Sequence, residues 1–231
     1  AAAAAAPARA RPPLPGLRLA DFRGERPSPD ARLLADWIAS THANGRRAFI
    51  LVDKKDARAW VFTPDARLRD SAPVLLGEAR GDEILPGSGD KDPSQMRPEE
   101  KITPAGRFLA KPGVNADGED VIWVDYADAI SMHRIRPFVE QEHRLERLAS
   151  LGVDDNRISF GCINLPVSFY EDVARPAVER YGALIYVLPD VRTVQQVFGA
   201  FDVTDPAQVA AARQAPGATG AATQRNAAAA G

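Results

Sequence analysis

The chain is poor in sulfur and imidazole: its 231 residues hold one cysteine, two methionines and three histidines. A single thiol cannot close an internal disulfide, so a disulfide scaffold is excluded. No close-spaced pair of cysteines and histidines is present; a zinc site would have to be assembled from Cys162 and two separated histidines, and none is expected. No apolar run approaches the length that spans a bilayer. A net charge of -2 lacks the basic footprint of a nucleic-acid binder. What is present is ordinary for a globular chain: 45% hydrophobic and 26% charged residues.

Composition divides the chain. Residues 1–16 contain eight Ala and four Pro, and residues 206–231 contain twelve Ala and no aromatic. Neither end has the bulky apolar surface needed to offset the entropy of ordering, so both read as flexible, with one folded domain over 17–201 and a tail over 202–231. A run of Ala also remains near a small-residue export cleavage site, so a trimmed secretory precursor is one expectation for the first segment and an Ala/Pro linker is the other.

Ser28-Pro29-Asp30 opens a helix with Leu33, Leu34, Trp37 and Ile38 on one face, closed at Asn44-Gly45. Ala48 to Val52 and Trp60 to Phe62 flank a polar turn as a hairpin, and Pro73 to Leu76 reads as a further strand. Residues 77–100 read as a long loop. Strands are expected near Phe108, over Val121–Val124, over Ala129–Ile135 and over Ala183–Leu188. Helices are expected over Val139–Leu151, with Leu145, Leu148 and Leu151 as a stripe, over Pro166–Tyr181, and over Thr193–Phe201. Many short strands without strand–helix alternation point to a mostly-β fold with peripheral helices, of the α+β class.

Cys162 lies in Ser159-Phe160-Gly161-Cys162-Ile163-Asn164, after a strand and before a helix start at Pro166. There, backbone N–H groups can stabilise a thiolate and an oxyanion. Such a thiol needs a base. His42 falls at the end of the first helix, where its charge suits the helix dipole. His133 lies in a strand, on the face shared with Ser131 and Ile135, while Met132 and Arg134 take the other face. His143 lies off the leucine stripe and faces solvent. His133 is therefore the preferred base. Arg134 and Arg157 flank the thiol segment and are candidates for holding a carboxylate, or else for fold-stabilising ion pairs.

These residues resemble the active-site signature of the L,D-transpeptidases of the YkuD type. Thr103-Pro104-Ala105-Gly106-Arg107-Phe108 resembles the Thr-Pro-x-Gly-x-Phe segment ahead of that family's active-site strands, and the resemblance runs in order over residues 48–188. It implies a β-sandwich-like catalytic domain and an exported, periplasmic or wall-associated cell-wall enzyme. Such an enzyme serves peptidoglycan synthesis and cell shape, without a cofactor, and a monomer is the expectation. Cys162 would attack the carbonyl after the L-centre of a diaminoacid in a peptidoglycan stem tetrapeptide, release D-alanine and pass the acyl group to an amine. His133 would move the proton, the backbone at Gly161 and Cys162 would hold the oxyanion, and Ser159 and Asn164 would shape the site. A hydrolase with the same thioester chemistry and a non-catalytic wall-binding relative are the alternatives. Two departures stand out. Phe160 occupies the place where the family usually has His. In addition, 25 residues separate His133 from Ser159 where about fifteen are usual; His143 fits that count, whereas His133 requires an inserted helix, a candidate lid.

Overall fold

The computed structural model describes residues 16–214; the N-terminal segment through Pro15 and the tail beyond Gln214 lie outside the described residues. The fold is mixed α+β, built on two larger sheets and one two-stranded sheet. Helix α1 (Pro29–Thr41) starts with Pro in its first turn, and the Ser28 hydroxyl accepts from the Ala31 N–H at 3.1 Å. His42, in the left-handed region, ends it.

The first sheet has five strands in the order β3 (Leu68–Pro73), β2 (Arg58–Phe62), β1 (Ala48–Asp53), β11 (Ala183–Val187), β5 (Gly106–Leu109). Strand β1 is central and covered on both faces, and all six of its residues are buried. Such a strand shows an apolar run rather than an alternation. Phe49 and Leu51 join Leu34 and Ile38 of α1 and Phe198 of α5 (Val194–Phe198) in one core. Ile50 and Val52 face the other core, shared with the second sheet. That second sheet runs β10 (Ile163–Leu165), β8 (Ile130–Arg134), β7 (Asp120–Asp125), β6 (Lys111–Val114). Ile122, Ile130, Met132, Ile163 and Leu165 enter the shared core, which Phe169, Tyr170 and Val178 close from one long helical stretch. That stretch is α3 (Val167–Phe169), a π turn (Tyr170–Ala174) and α4 (Arg175–Tyr181).

Several boundaries differ from the sequence reading for physical reasons. The expected strand at Pro73–Leu76 is two: β3 ends at Pro73, and β4 (Leu76–Gly77) pairs instead with β9 (Arg157–Ser159). Strand β3 is an edge strand with only Leu68 and Ala72 buried, so its sequence is too polar to announce itself. Strand β6 is likewise an edge, and it carries Pro112 and Gly113. The expected helix over 139–151 breaks at His143, which adopts a left-handed φ of 48° between a 3-10 turn (Glu140–Glu142) and α2 (Arg144–Ala149). The leucine stripe is not a buried face: Leu148 packs on Leu75 and Ile135, while Leu145 and Leu151 are exposed. Past 201, Val203 is still buried, and α6 (Pro206–Gln214) follows with no buried residue.

Candidate active site

The site is made where β9, a three-residue turn (Phe160, Gly161, Cys162) and β10 bring Cys162 alongside β8. Strands β10 and β8 are parallel, with Asn164 opposite His133. Because side chains alternate, Ile163, Leu165, Ile130 and Met132 fill the core while Cys162, Asn164, Ser131 and His133 share the outer face. The pleat of a two-strand pair thus gathers the thiol, an imidazole, an amide and a hydroxyl.

The turn that carries the thiol is tied at three points. Buried Ser159 donates through Oγ to the Cys162 carbonyl at 2.6 Å and accepts from the Gly161 N–H at 3.1 Å. Thr103, fully buried, donates to the Gly161 carbonyl at 2.8 Å and accepts from the Gly77 N–H at 2.9 Å. The Thr-Pro segment noted in the sequence is therefore the clamp that fixes the thiol turn. Gly161 has φ 125°, and a Cβ there would come within 2.8 Å of both the Ile102 carbonyl oxygen and Ile130 Cδ1. No side-chain-bearing residue fits this position.

Three hydrogen bonds surround the sulfur. The Ser131 N–H donates to Sγ at 3.5 Å, the Ser131 hydroxyl lies at 3.6 Å, and the thiol donates to the Ala129 carbonyl at 3.7 Å. His133 is buried, with Nδ1 2.7 Å from the Arg134 carbonyl. A carbonyl accepts only, so Nδ1 carries the proton and Nε2 offers its lone pair, as a base requires. Nε2 faces the Asn164 amide NH2 at 3.5 Å. Burial first, then the Arg136 and Arg144 charges, push the His133 pKa down to about 4. The imidazole is held in its neutral form at neutral pH. Fully buried Asn164 is oriented in turn by Arg144, whose NH1 donates to its Oδ1 at 2.6 Å; the amide NH2 also reaches the Cys162 carbonyl at 3.4 Å.

Cys162, His133, Asn164, Ser159 and Phe160 open onto one cleft of ≈ 400 Å³. Segment 84–100 forms one wall and segment 136–144 the other, with Phe138 and Val139 exposed at its edge. Lys91 and Glu100 pair across 2.5 Å on the first wall; that hydrogen bond and one from the Arg97 N–H hold Glu100 down to about 2. Phe160 adds an apolar patch, with the Lys101 ammonium 4.8 Å from its ring centre. Among the described residues no cluster of His, Cys, Asp and Glu could hold a metal ion, and no helix is long and apolar enough to cross a membrane.

Both arginines singled out in the sequence lie outside the cleft. Arg134 points to the opposite face of β8 from His133, pairs with Glu171 and Asp120, and stacks over Tyr170. Arg157 is buried and bidentate on Asp190, at 2.8 and 3.2 Å, and donates to the Lys54 carbonyl. Asp190 and Asp82 each lie 3.3 Å from the fully buried Lys54 ammonium, which also donates to the Gly81 and Thr103 carbonyls. This network anchors both ends of the 81–103 segment. The arginines that reach the cleft are Arg136 and Arg144, contributed by the segment inserted between His133 and Cys162. Sequence spacing could not reveal them, because nothing in it showed that this segment folds back on Asn164. The Gly161 N–H, expected to face an oxyanion, is bound by Ser159. His143 is exposed and pairs with Glu146; it does not itself line the cleft, although its neighbours Glu142 and Arg144 do.

No family model matches the chain, and no curated protein does. Among solved structures, the chain is similar to the helical cell shape determining protein Pgp2 from Campylobacter jejuni as its K307A mutant. That match has 16% identity and a TM-score of 0.41, over 65% of this chain and 49% of that one. The catalytic domain of an E. faecium L,D-transpeptidase matches at 18% identity and a TM-score of 0.33, over 62% of this chain and 98% of that one. An L,D-transpeptidase from Mycobacterium smegmatis matches at 16% identity and a TM-score of 0.34, over 61% and 58%. The chain spans about half the length of the Campylobacter protein.

Proposed function

We propose that this chain is a cysteine-dependent L,D-transpeptidase acting on peptidoglycan stem peptides. The reading rests on one observation above the others: Cys162 and His133 open onto a single cleft, with the imidazole tautomer set by the Arg134 carbonyl. The order of the Thr103-Pro104 and Ser159-to-Asn164 motifs supports it.

In this reading the thiol leaves the Ala129 carbonyl and gives its proton to His133 Nε2 as Sγ attacks the carbonyl carbon of the stem peptide. A carbon–sulfur bond forms and the carbonyl electrons move to oxygen, which the Cys162 N–H receives. The carbon–nitrogen bond then breaks, D-alanine departs with the proton from His133, and a thioester remains. An amine of a second stem attacks the thioester and gives a proton to His133; a carbon–nitrogen bond forms, the carbon–sulfur bond breaks, and the departing sulfur takes the proton back from His133. Ser159 and Thr103 hold the turn, and Asn164, set by Arg144, keeps the imidazole beside it. The protein acts outside the cytoplasmic membrane, where its substrate is.

The test is incubation with purified disaccharide-tetrapeptide and mass spectrometry of the products. Free D-alanine together with a cross-linked dimer is the expected result. D-alanine without dimer would make the protein an L,D-carboxypeptidase, and neither product would make it a non-catalytic wall-binding relative.

A further inference from the structure

We propose that Ser131 is a catalytic residue of this site, whose hydroxyl and backbone N–H together hold the Cys162 sulfur as negative charge develops on it. The proposal rests on the reading of Cys162 as the nucleophile. Ser131 is buried on β8, two residues before His133 and on the same face. Its N–H donates to Sγ at 3.5 Å and its Oγ lies 3.6 Å from Sγ. Among the described residues, no other brings two donors to the sulfur.

The chemistry needs them. In many thiol enzymes the sulfur anion is stabilised by a neighbouring imidazolium. Here the imidazolium of His133 is disfavoured by burial and by Arg136 and Arg144. Its positive charge is therefore a poor counter-ion, and hydrogen-bond donors must supply more of the stabilisation. As the Sγ–H proton passes to Nε2, the Ser131 Oγ–H turns onto sulfur and becomes a charge-assisted donor, a kind of bond about twice as strong as its neutral counterpart. As the carbon–sulfur bond forms, the electron pair leaves sulfur and both Ser131 bonds weaken. Ser131 thus lowers the energy of the thiolate without blocking attack.

The experiment reads the thiol alone. Cys162 is the sole cysteine, so its alkylation by iodoacetamide can be followed against pH by intact mass in the wild type, Ser131→Ala and Ser131→Thr. The surrounding charges stay unchanged in all three proteins: His133, Lys91 and Glu100 on one wall, Asp128, and Arg136, Glu142 and Arg144. Ser131→Ala keeps the N–H and loses the hydroxyl, so alkylation near pH 7 should fall roughly 5- to 10-fold. Ser131→Thr should return it to within about twofold of wild type. A folded Ser131→Ala protein with the wild-type profile would overturn the proposal, as would a folded Ser131→Thr protein that behaves like Ser131→Ala. If Ser131→Ala does not fold, Ser131→Val, which has the shape and strand preference of threonine without its hydroxyl, is read against Ser131→Thr in the same way. Release of D-alanine is scored separately, so failure of the wider enzymatic reading is distinguished from failure of this one.

Discussion

His133 Nδ1 lies 2.7 Å from the carbonyl oxygen of Arg134, its own neighbour in the chain. The bond fixes the proton on Nδ1 and leaves the Nε2 lone pair toward the Asn164 amide, 3.5 Å away; strand alternation sends the two neighbouring side chains to opposite faces. The imidazole serves the outer face of β8, while the guanidinium serves the ion pairs on the other face.

The first prediction concerns pH. The folded His133 pKa, about 4, is below the ordinary value near 6.5 because burial and two arginines disfavour the charged ring. The folded state therefore favours the neutral form. Its stabilisation is complete above about pH 6.5 and is lost as pH falls toward 4, by an amount on the order of 3 kcal/mol. Urea midpoints at pH 7 and pH 4 should fall more steeply for wild type than for His133→Gln. The acid limb of acylation should lie near pH 4; a limb near 6.5 would contradict the buried neutral imidazole.

The second concerns the clamp under the thiol turn. Thr103→Val keeps the shape but removes the hydroxyl that joins Gly77 and Gly161. It leaves a buried N–H and a buried carbonyl unpaired, at about 1–3 kcal/mol each. The expected outcome is a loss of about 2–4 kcal/mol in unfolding free energy, with slower alkylation of Cys162 in the protein that still folds. Stability within about 0.5 kcal/mol of wild type would show that the clamp carries nothing.

The third separates Arg157 from substrate. Its side chain is spent on Asp190 and the Lys54 carbonyl. Removing one partner of a buried pair is costly, so Arg157→Met should lose about 3–5 kcal/mol by denaturant titration. The KM of the protein that remains folded should stay within about twofold of wild type. A KM raised tenfold with stability intact would instead place Arg157 on the substrate carboxylate.

Much of this was legible in the sequence because it depends on short-range pattern. The apolar run of β1, the cap at Ser28-Pro29 and the alternation that puts Ser131 and His133 on one face are local properties, and the structure has them. What escaped depends on distant partners. Strands β3 and β6 are polar edges held by neighbours. Helix α2 is anchored by one leucine, on residues some 13 and 73 positions away. Arg144 becomes part of the site only because the segment after His133 folds back to Asn164. The Gly161 N–H looked free for an oxyanion because a serine two residues earlier can equally well turn toward it or away. Arg157 adjoins the thiol segment in sequence and Arg134 adjoins His133, but their side chains turn to carboxylates on Asp190, Asp120 and Glu171.

The central claim is that Cys162 is acylated with His133 as its base. Its most direct measurement is the mass of the protein, quenched in acid during turnover of disaccharide-tetrapeptide. Wild type should carry a disaccharide-tripeptide thioester that maps to Cys162, and His133→Ala should carry none. D-alanine release without an adduct on Cys162, or equal acylation of His133→Ala, would contradict the account.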